Sequence, residues 1–204
     1  GGGGDIAGRT IGAVLSQALG QSVIIESRPG GGGSIGLQAV VKSAPDGYTL
    51  GIGPSGTLTI LANLIRLPFD TASDLSPISG LTHSSFLFIV PAASPVNSIQ
   101  DLVRRARAAP GALNFGSNGI ASTQHLAGEL FKITAGINIT HVPYKGGSLA
   151  VTDVVAGHIP MTFGNLTSVL PFSRAGRLRV IAVSSAKYKT PAAADTPRAR
   201  TRKP

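Results

Sequence analysis

The amino-acid sequence predicts an α/β protein with a mainly parallel sheet. Short apolar runs bounded by glycine and proline alternate with longer segments of helical periodicity, as in folds where helices connect parallel strands. The 204 residues are 42% hydrophobic and 13% charged, a composition typical of a folded globular chain with a sizeable core. No apolar run reaches the roughly 18 residues that indicate a membrane-spanning helix.

The first part of the chain predicts two helices and several short strands. Apolar positions with helical spacing predict a helix over 6–19, ended by Gly20 as a left-handed C-cap. Ser34 is the predicted N-cap of a helix over 35–41, which the turn at 45–47 terminates. Strands are predicted at 23–25, 48–52, 78–81 and 86–90, with a helical piece at 58–65.

The second part alternates regularly between strands and helices. Ser98 is expected to cap a helix that runs to Ala109, where Pro110 breaks it. The remaining strands are predicted at 113–115, 139–142, 159–163 and 178–183, and the helices at 123–135, 149–156 and 168–175. The strands predicted at 78–81 and 86–90, shortly before Ser94, have no helix between them. We therefore expect a domain crossing near Ser94 and a return at 178–184, which gives domains at 1–94 and 95–180 and a return strand and tail at 181–204.

The most informative segment is 114–130, in which a short strand turns through small polar residues into a helix. Ser117, Asn118 and Gly119 form the turn, and Ser122 directly precedes the helix as its predicted N-cap. Such a turn gathers free backbone N–H groups at the positive end of the helix dipole, where a carboxylate binds well. The glycines at 1–4 lead through Asp5 into another helix, so the sequence predicts two anion sites and a ligand with an acidic group at each end.

Other loops repeat this arrangement of small polar residues after a strand. They include Ser55-Gly56-Thr57, the turn containing Tyr144 and Lys145, and Gly164-Asn165. Turn chemistry explains each loop singly, and for Lys145 a solvated side chain is an equal alternative. Because ligands bind beyond the carboxyl ends of parallel strands, their shared position favours one cleft. His125 is expected to orient the loop or to pack against it.

Several classes of enzyme find little support in the sequence. Two glycine patterns, at 31–36 and 51–56, match the dinucleotide fingerprint but lack an acidic residue at the required offset, so tight turns explain them better. Ser122, His125 and Asp153 could form a hydrolase triad, but no nucleophile elbow surrounds the serine. The chain has no cysteine, and its four histidines have no metal-ligand spacing. We therefore expect no metal and no cofactor.

The net charge of +9 is concentrated at one end of the chain. Residues 185–204 carry Lys187, Lys189, Arg198, Arg200, Arg202 and Lys203 against the single acid Asp195. This tail is predicted to be disordered, and the mildly basic remainder favours acidic ligands. Nucleic-acid binding is not expected, because aromatic residues do not interleave the basic ones beyond Tyr188.

Motifs spread along the chain resemble those of one transport family. They are Gly-Gly-Gly-Gly-Asp at 1–5, Glu-Ser-Arg-Pro-Gly at 26–30, Ala-Pro-Asp-Gly-Tyr-Thr-Leu at 44–50, Gln-His-Leu-Ala-Gly-Glu-Leu at 124–130, His-Val-Pro-Tyr-Lys-Gly at 141–146 and Arg-Val-Ile-Ala-Val at 179–183. In this order they resemble the Bug (TctC-like) family, the extracytoplasmic solute receptors of tripartite tricarboxylate transporters. The resemblance covers about residues 1–197 and is far more specific than any glycine pattern.

The resemblance implies a type II periplasmic-binding-protein fold, in which two α/β domains close by a hinge over a carboxylated metabolite. It also implies a periplasmic location and a membrane permease as partner, and we expect a monomer. Family members begin with a further strand and continue beyond Pro197, so the first domain is expected to be incomplete. Gly164 stands where an aspartate is frequent in the family, which makes an amino-acid ligand less expected.

We therefore predict a protein that binds a small di- or tricarboxylate and is not an enzyme. The alternatives are a remnant that no longer binds and a carboxylate-processing α/β enzyme. The expected ligand-binding residues are Gly3, Gly4, Asp5, Ser55, Thr57, Ser117, Asn118, Gly119, Ser122, His125, Tyr144, Lys145 and Asn165.

Overall fold

The structure is a computed structural model that describes residues 2–83 and 85–185. Its helices are α1 (Gly3–Leu19), α2 (Ser34–Val41), α3 (Ala62–Leu64), α4 (Ile99–Ala108), α5 (Thr123–Ala135), α6 (Gly147–Ala156) and α7 (Leu166–Arg174). A 3-10 turn at Gly31–Gly33 precedes α2, and a π-helical segment at Gly56–Leu61 precedes α3. The strands are β1 (Phe86–Pro91), β2 (Asn114–Ser117), β3 (Thr140–Pro143), β4 (Thr162–Asn165) and β5 (Leu178–Val183). The predicted basic tail, apart from Ser185, lies outside the described residues.

The five strands form one sheet in the order β3-β2-β4-β1-β5. Strand β2 pairs in parallel with β3 and β4, whereas β1 runs antiparallel to both β4 and β5. Four strands therefore point in one direction, as the sequence predicts, and β1 alone is reversed between β4 and β5.

The core consists of two apolar layers, one on each face of the sheet. Along β1, Leu87 and Ile89 face α6 and α7, while Val90 faces α4 and α5. The layer under α4 and α5 includes Leu102, Phe115, Ile139, Met161 and Phe163, and the opposite layer includes Val151, Val154, Val169 and Val180. Alternation along β1 thus supplies both layers from one buried strand.

Several predicted helix ends are confirmed. Ser98 accepts the Asp101 N–H at the start of α4, and Gly20 ends α1 in the left-handed region with φ 63°. Ser34 is not a cap, however, because it is the first residue of α2 and Gly33 precedes it as the cap. Its N–H already binds Gly31 O in the preceding 3-10 turn, so the helix begins one residue earlier than predicted.

The strands predicted at 23–25, 48–52 and 78–81 do not form ladders in the structure. Backbone donors in two of these segments bind side chains instead: Val23 N–H binds Ser16 Oγ at 2.9 Å, and Tyr48 N–H binds Asp46 Oδ1 at 3.0 Å. These segments therefore do not pair into the sheet, and apolar side chains such as Ile24 remain exposed to solvent.

The two parts of the chain approach each other beside the sheet, among other places at two glycines. Gly32 lies against the backbone of Ile120, and Gly56 lies against Thr123. Where the chain enters and leaves the sheet, Phe86 N–H binds Ser184 Oγ and Ser184 N–H binds Phe86 O, both at 2.9 Å. Strand β1 lies before the expected domain boundary near Ser94, and the other four strands lie after that boundary. The domain limits stay a prediction.

None of the helices within 2–83 and 85–185 is both long and apolar enough to cross a bilayer.

Candidate anion-binding site

Three helices begin at the same edge of the sheet. The parallel strands β2, β3 and β4 end at this edge and lead into α5, α6 and α7 respectively. The first N–H groups of a helix have no intrahelical acceptor, and the helix dipole places positive potential there. The edge therefore presents three groups of backbone donors, an arrangement suited to a small anion.

The start of α5 is held by its cap. Ser122 Oγ accepts the His125 N–H at 3.2 Å, as predicted for an N-cap, and Ser122 O accepts the Leu126 N–H. The N–H groups of Thr123 and Gln124 precede these bonds in the first turn, so the helix itself does not use them. The helix thus leaves these two N–H groups without an intrahelical acceptor.

Ser117 and Gly119 face into the loop rather than out of it. The buried Ser117 Oγ accepts the Gly119 N–H at 3.1 Å, lies 3.0 Å from Gly119 O, and lies 2.6 Å from His141 Nε2. Both groups thus hold the shape of the loop, and the Gly119 N–H is already bonded. The sequence suggested these positions as ligand donors, but their observed bonds are internal.

The His125 side chain also holds the loop, by accepting a backbone N–H group. Its Nδ1 accepts the Ala121 N–H at 3.0 Å, and Ala121 has a left-handed conformation with φ 58°. A non-glycine residue in that region carries about 1 kcal/mol or more of strain. The histidine stabilises the strained turn directly before the cap of α5.

His125 stacks on His141, with ring centroids 3.9 Å apart. Burial, together with the neighbouring His125, lowers the pKa of His141 to about 4. Burial also lowers the pKa of His125, against the opposing charge of Glu129. Both rings are therefore neutral near pH 7, as the acceptor role of His125 Nδ1 requires.

This histidine pair predicts a stability loss in acid. The folded protein binds fewer protons than the unfolded chain between the ordinary histidine pKa of 6.5 and about 4, so stability is full above pH 6.5 and falls towards pH 4. The pKa difference corresponds to roughly 3 kcal/mol, and partial solvent exposure reduces it to about 2. Urea unfolding at pH 7 and pH 4.5 should show this difference. His141→Gln should flatten the dependence; a slope equal to that of the parent protein would contradict the assignment.

Tyr144 and Lys145 occupy the turn between β3 and α6. The Tyr144 hydroxyl donates to Asp153 Oδ2 at 2.6 Å, and burial together with this carboxylate raises the pKa of Tyr144 to about 12. The Lys145 side chain is exposed. The phenol is therefore directed to α6 rather than to the helix starts.

The start of α1 lies against the start of α7. A Cβ atom on Gly3 would lie 3.1 Å from Asn165 Nδ2, so glycine allows the two segments to approach. Gly4 has open space around it. A hydrogen bond from Arg9 holds the pKa of Asp5 below its ordinary value, and the same arginine compensates the charge that Asp5 would set against an anion. The predicted residues Gly3, Gly4 and Asn165 thus come together.

Ser55 and Thr57 differ in their surroundings. The buried Thr57 donates its hydroxyl hydrogen to Gly32 O, which fixes the glycine turn at 30–33, whereas Ser55 is exposed. Gly32 has φ 64°, and a Cβ there would lie 3.2 Å from Ile120 O. Thr57 therefore supports the loop at 117–122 through the glycine turn.

Three residues that contribute to this region were not predicted from the sequence: His141, Gly32 and Gln124. Gln124 is only 4% exposed, although it lies in the first turn of a helix. It shares a helix face with the buried Gly128, because residues i and i+4 lie on the same side of a helix. None of the three residues carried a local signal in the sequence.

The residues considered for catalysis are not arranged for it. Ser122 Oγ is bonded to the His125 N–H, His125 Nδ1 to the Ala121 N–H, and Asp153 to Tyr144. The suggested triad is therefore not assembled. Within the described ranges, no three acidic, histidine or cysteine side chains are grouped to hold a metal ion.

A shallow hollow of about 510 Å³ lies at the opposite end of α5, lined by Ala106, Arg107, Pro110, Glu129, Lys132, Ile133, Gly136, Ile137 and Asn138. It adjoins the carbonyl end of the helix, where the dipole disfavours anions. The hollow is therefore separate from the candidate site.

Comparison with known proteins identifies the family. A family model for the tripartite tricarboxylate transporter family receptor, TctC, matches residues 7–197. BugT of Bordetella pertussis is 34% identical over 192 residues, which cover 93% of this chain and 59% of BugT. The chain spans little more than half the length of the curated relatives that it matches over most of its own length.

Two solved structures are similar in fold. Rpa4515 of R. palustris, solved with adipate, is 37% identical with a TM-score of 0.87, over 91% of this chain and 62% of that one. MatC of Rhodopseudomonas palustris, solved with malate, is 26% identical with a TM-score of 0.89, over 98% of this chain and 68% of that one. These matches confirm the expected α/β fold class, and with the family model they show that the chain belongs to the tripartite tricarboxylate transporter receptor family, TctC.

Proposed function

We propose that this chain binds a small di- or tricarboxylate at the edge where α5, α6 and α7 begin. The convergence of three helix starts, beside the start of α1, is the observation that carries the proposal. Backbone donors and aligned dipoles suit negative charge and need no charged side chain. This explains how a carboxylate site can exist among glycine, serine and asparagine.

A ligand with two acidic ends suits the distribution of donors. The N–H groups at the start of α5 provide one group, and those around Gly3 and Gly4 beside Asn165 provide another. Relatives solved with adipate and malate, both dicarboxylates, support this assignment.

The expected biological role follows from the family. The protein would act in the periplasm as a monomeric receptor, rather than as a catalyst, and would deliver its ligand to the membrane permease of the transporter. Closure over the ligand would bend the chain at the crossings beside the sheet, where Phe86 and Ser184 bind each other. This hinge and these partners are part of the proposal.

Titration calorimetry against a panel of di- and tricarboxylates tests the proposal. The 204-residue chain should bind at least one member of the panel. Gly4→Asp should weaken binding by about tenfold or more, because a second anion near the start of α1 repels the ligand carboxylate. The acidic residue favours the helix start, so folding should be preserved.

Gly4→Asn is the matched control, since it has nearly the same shape and no charge. Its affinity should remain close to that of the parent protein. The absence of heat from every carboxylate at millimolar concentration, with a normal thermal melt, would support a non-binding remnant. Equal effects of the two substitutions would reject the assignment of the α1 start.

A further inference from the structure

The first part of the chain touches the loop before α5 at two glycines. A Cβ atom built on Gly56 would lie 2.9 Å from Thr123 Oγ1 and 3.1 Å from Thr123 N, and one on Gly32 would lie 3.2 Å from Ile120 O. From the other side, a Cβ atom on Gly119 would lie 3.4 Å from Gly32 N. Gly32 and Gly56 thus form a direct backbone contact with residues 119–123, the glycine contact, beside the start of α5.

The glycine contact involves no hydrogen bond between the two parts. Among the described residues, none joins 30–33 or 55–57 to 119–123. The polar groups bond within their own part instead, as Thr57 does to Gly32 O and Ser117 to the Gly119 N–H. Because packing contacts are weak individually, the two parts can separate here without breaking a hydrogen bond.

The glycine contact lies away from the place where the chain crosses between its two parts. The crossing is beside β1, where Phe86 and Ser184 bind each other. In the sheet β4 separates β1 from β2, so the end of β2 lies about 10 Å from β1. Gly3 meets Asn165 on β4, nearer the crossing. A rotation about the crossing would therefore move the glycine contact further than the contact at the start of α1.

We propose that the glycine contact controls exchange of the ligand at the start of α5. The first part of the chain rests on residues 119–123 while the carboxylate is held, and it moves off them to admit or release it. Glycine is required at position 56 because a Cβ atom would overlap Thr123, and at position 32 because φ is 64° and Ile120 O lies close. This inference rests on the proposed function, which includes closure, and adds the residues at which the two parts meet.

Gly56→Ala tests the glycine contact, because it adds only the Cβ atom. Titration calorimetry measures its affinity for adipate or malate, whichever the parent chain binds more tightly. The affinity should fall about tenfold or more, because the overlap with Thr123 disfavours the closed arrangement. Gly36→Ala is the matched control, at a helical glycine of the same part where the Cβ atom would lie 3.4 Å from Arg28 O. It should bind like the parent protein, and both variants should keep the thermal melt of the parent.

A second substitution separates a lost contact from a folding defect. Thr123→Ala removes the hydroxyl oxygen that a Cβ atom at position 56 would overlap. Added to Gly56→Ala, it should raise the affinity at least about threefold over that of Gly56→Ala alone, because residues in contact have coupled effects. A folding defect confined to position 56 would not be relieved in this way.

Pulsed electron paramagnetic resonance measures the closure itself. The chain has no cysteine, so Tyr48→Cys and Ile133→Cys, at side chains that are 93% and 79% exposed, place one spin label on each part. A saturating concentration of the same dicarboxylate should narrow the distribution of distances in the labelled parent chain to one population. In labelled Gly56→Ala the distribution should stay unchanged at saturation.

The outcomes separate the two proposals. Affinity and distances in Gly56→Ala equal to those of the parent would overturn the inference and leave the carboxylate site standing. A parent distance that the bound dicarboxylate does not change, or a double variant no better than Gly56→Ala, would overturn it too. Failure of every carboxylate in the calorimetry panel to bind would reject the proposed function together with this inference.

Discussion

Replacing Gly128 by alanine should lower the free energy of unfolding by about 3 kcal/mol or more. Gly128 is buried in α5, and a Cβ atom there would lie well within contact distance of three ring atoms of Phe115. Phe115 is fully buried and forms an edge contact with Phe163, so its ring has little room to move. Forcing extra volume into a closely packed core costs typically 1–3 kcal/mol, and this overlap is severe.

Chemical denaturation followed by circular dichroism measures this change. Gly4→Ala is a matched control, because it makes the same substitution at a helical position where the added Cβ atom would have no neighbour within 4 Å. It should be neutral or slightly stabilising, since alanine favours helix over glycine. A loss below about 1 kcal/mol for Gly128→Ala would mean that α5 shifts easily over the sheet. Such a shift would also move the N–H groups of Thr123 and Gln124.

Replacing Arg179 by methionine should lower the free energy of unfolding by about 3 kcal/mol. Arg179 lies on β5. Its guanidinium donates hydrogen bonds of 2.6–3.1 Å to the carbonyl groups of Ala92, Ser94 and Val96 and to the side chain of Asn97. Charge-assisted hydrogen bonds are among the stronger ones in proteins, and each contributes about 1.5–3 kcal/mol when it is considered singly. The substitution leaves these carbonyls to water or to no partner.

Arg177→Met is the control for Arg179. Arg177 is exposed, and its guanidinium lies 5.8 Å from the centre of the Phe172 ring, a contact of at most about 1 kcal/mol. Thermal and urea unfolding should therefore separate the two variants clearly. Comparable losses in both would show that the loop at 92–97 does not depend on the arginine.

Local patterns were sufficient for most of the second part of the fold. The α5 range and the caps at Ser98 and Ser122 depend on residues close in sequence, and the structure has them as predicted. The reversed position of β1 could not be predicted in this way, since its pairing with β5 joins residues about 90 positions apart. For the same reason, β-branched runs such as 23–25 predicted strands that form no ladder.

The candidate site was predicted in outline but not in its contacts. Glycine and serine at the strand ends correctly indicated loops before helices, because these residue types favour turns and caps. The roles of individual side chains depended on distant partners, such as His141 for Ser117 and Asp153 for Tyr144. The burial of Gln124 was not predicted, because it depends on how α5 packs and not on the residues next to it.

The order of the strands has a consequence for synthesis on the ribosome. Strand β1 emerges before all the others, yet both of its neighbours, β4 and β5, emerge last. Its sequence Phe-Leu-Phe-Ile-Val must therefore wait for some 75 further residues without a partner, as an apolar segment with open edges. We expect nascent chains to recruit holdase chaperones at this segment, and truncation before β4 to yield aggregates rather than folded intermediates.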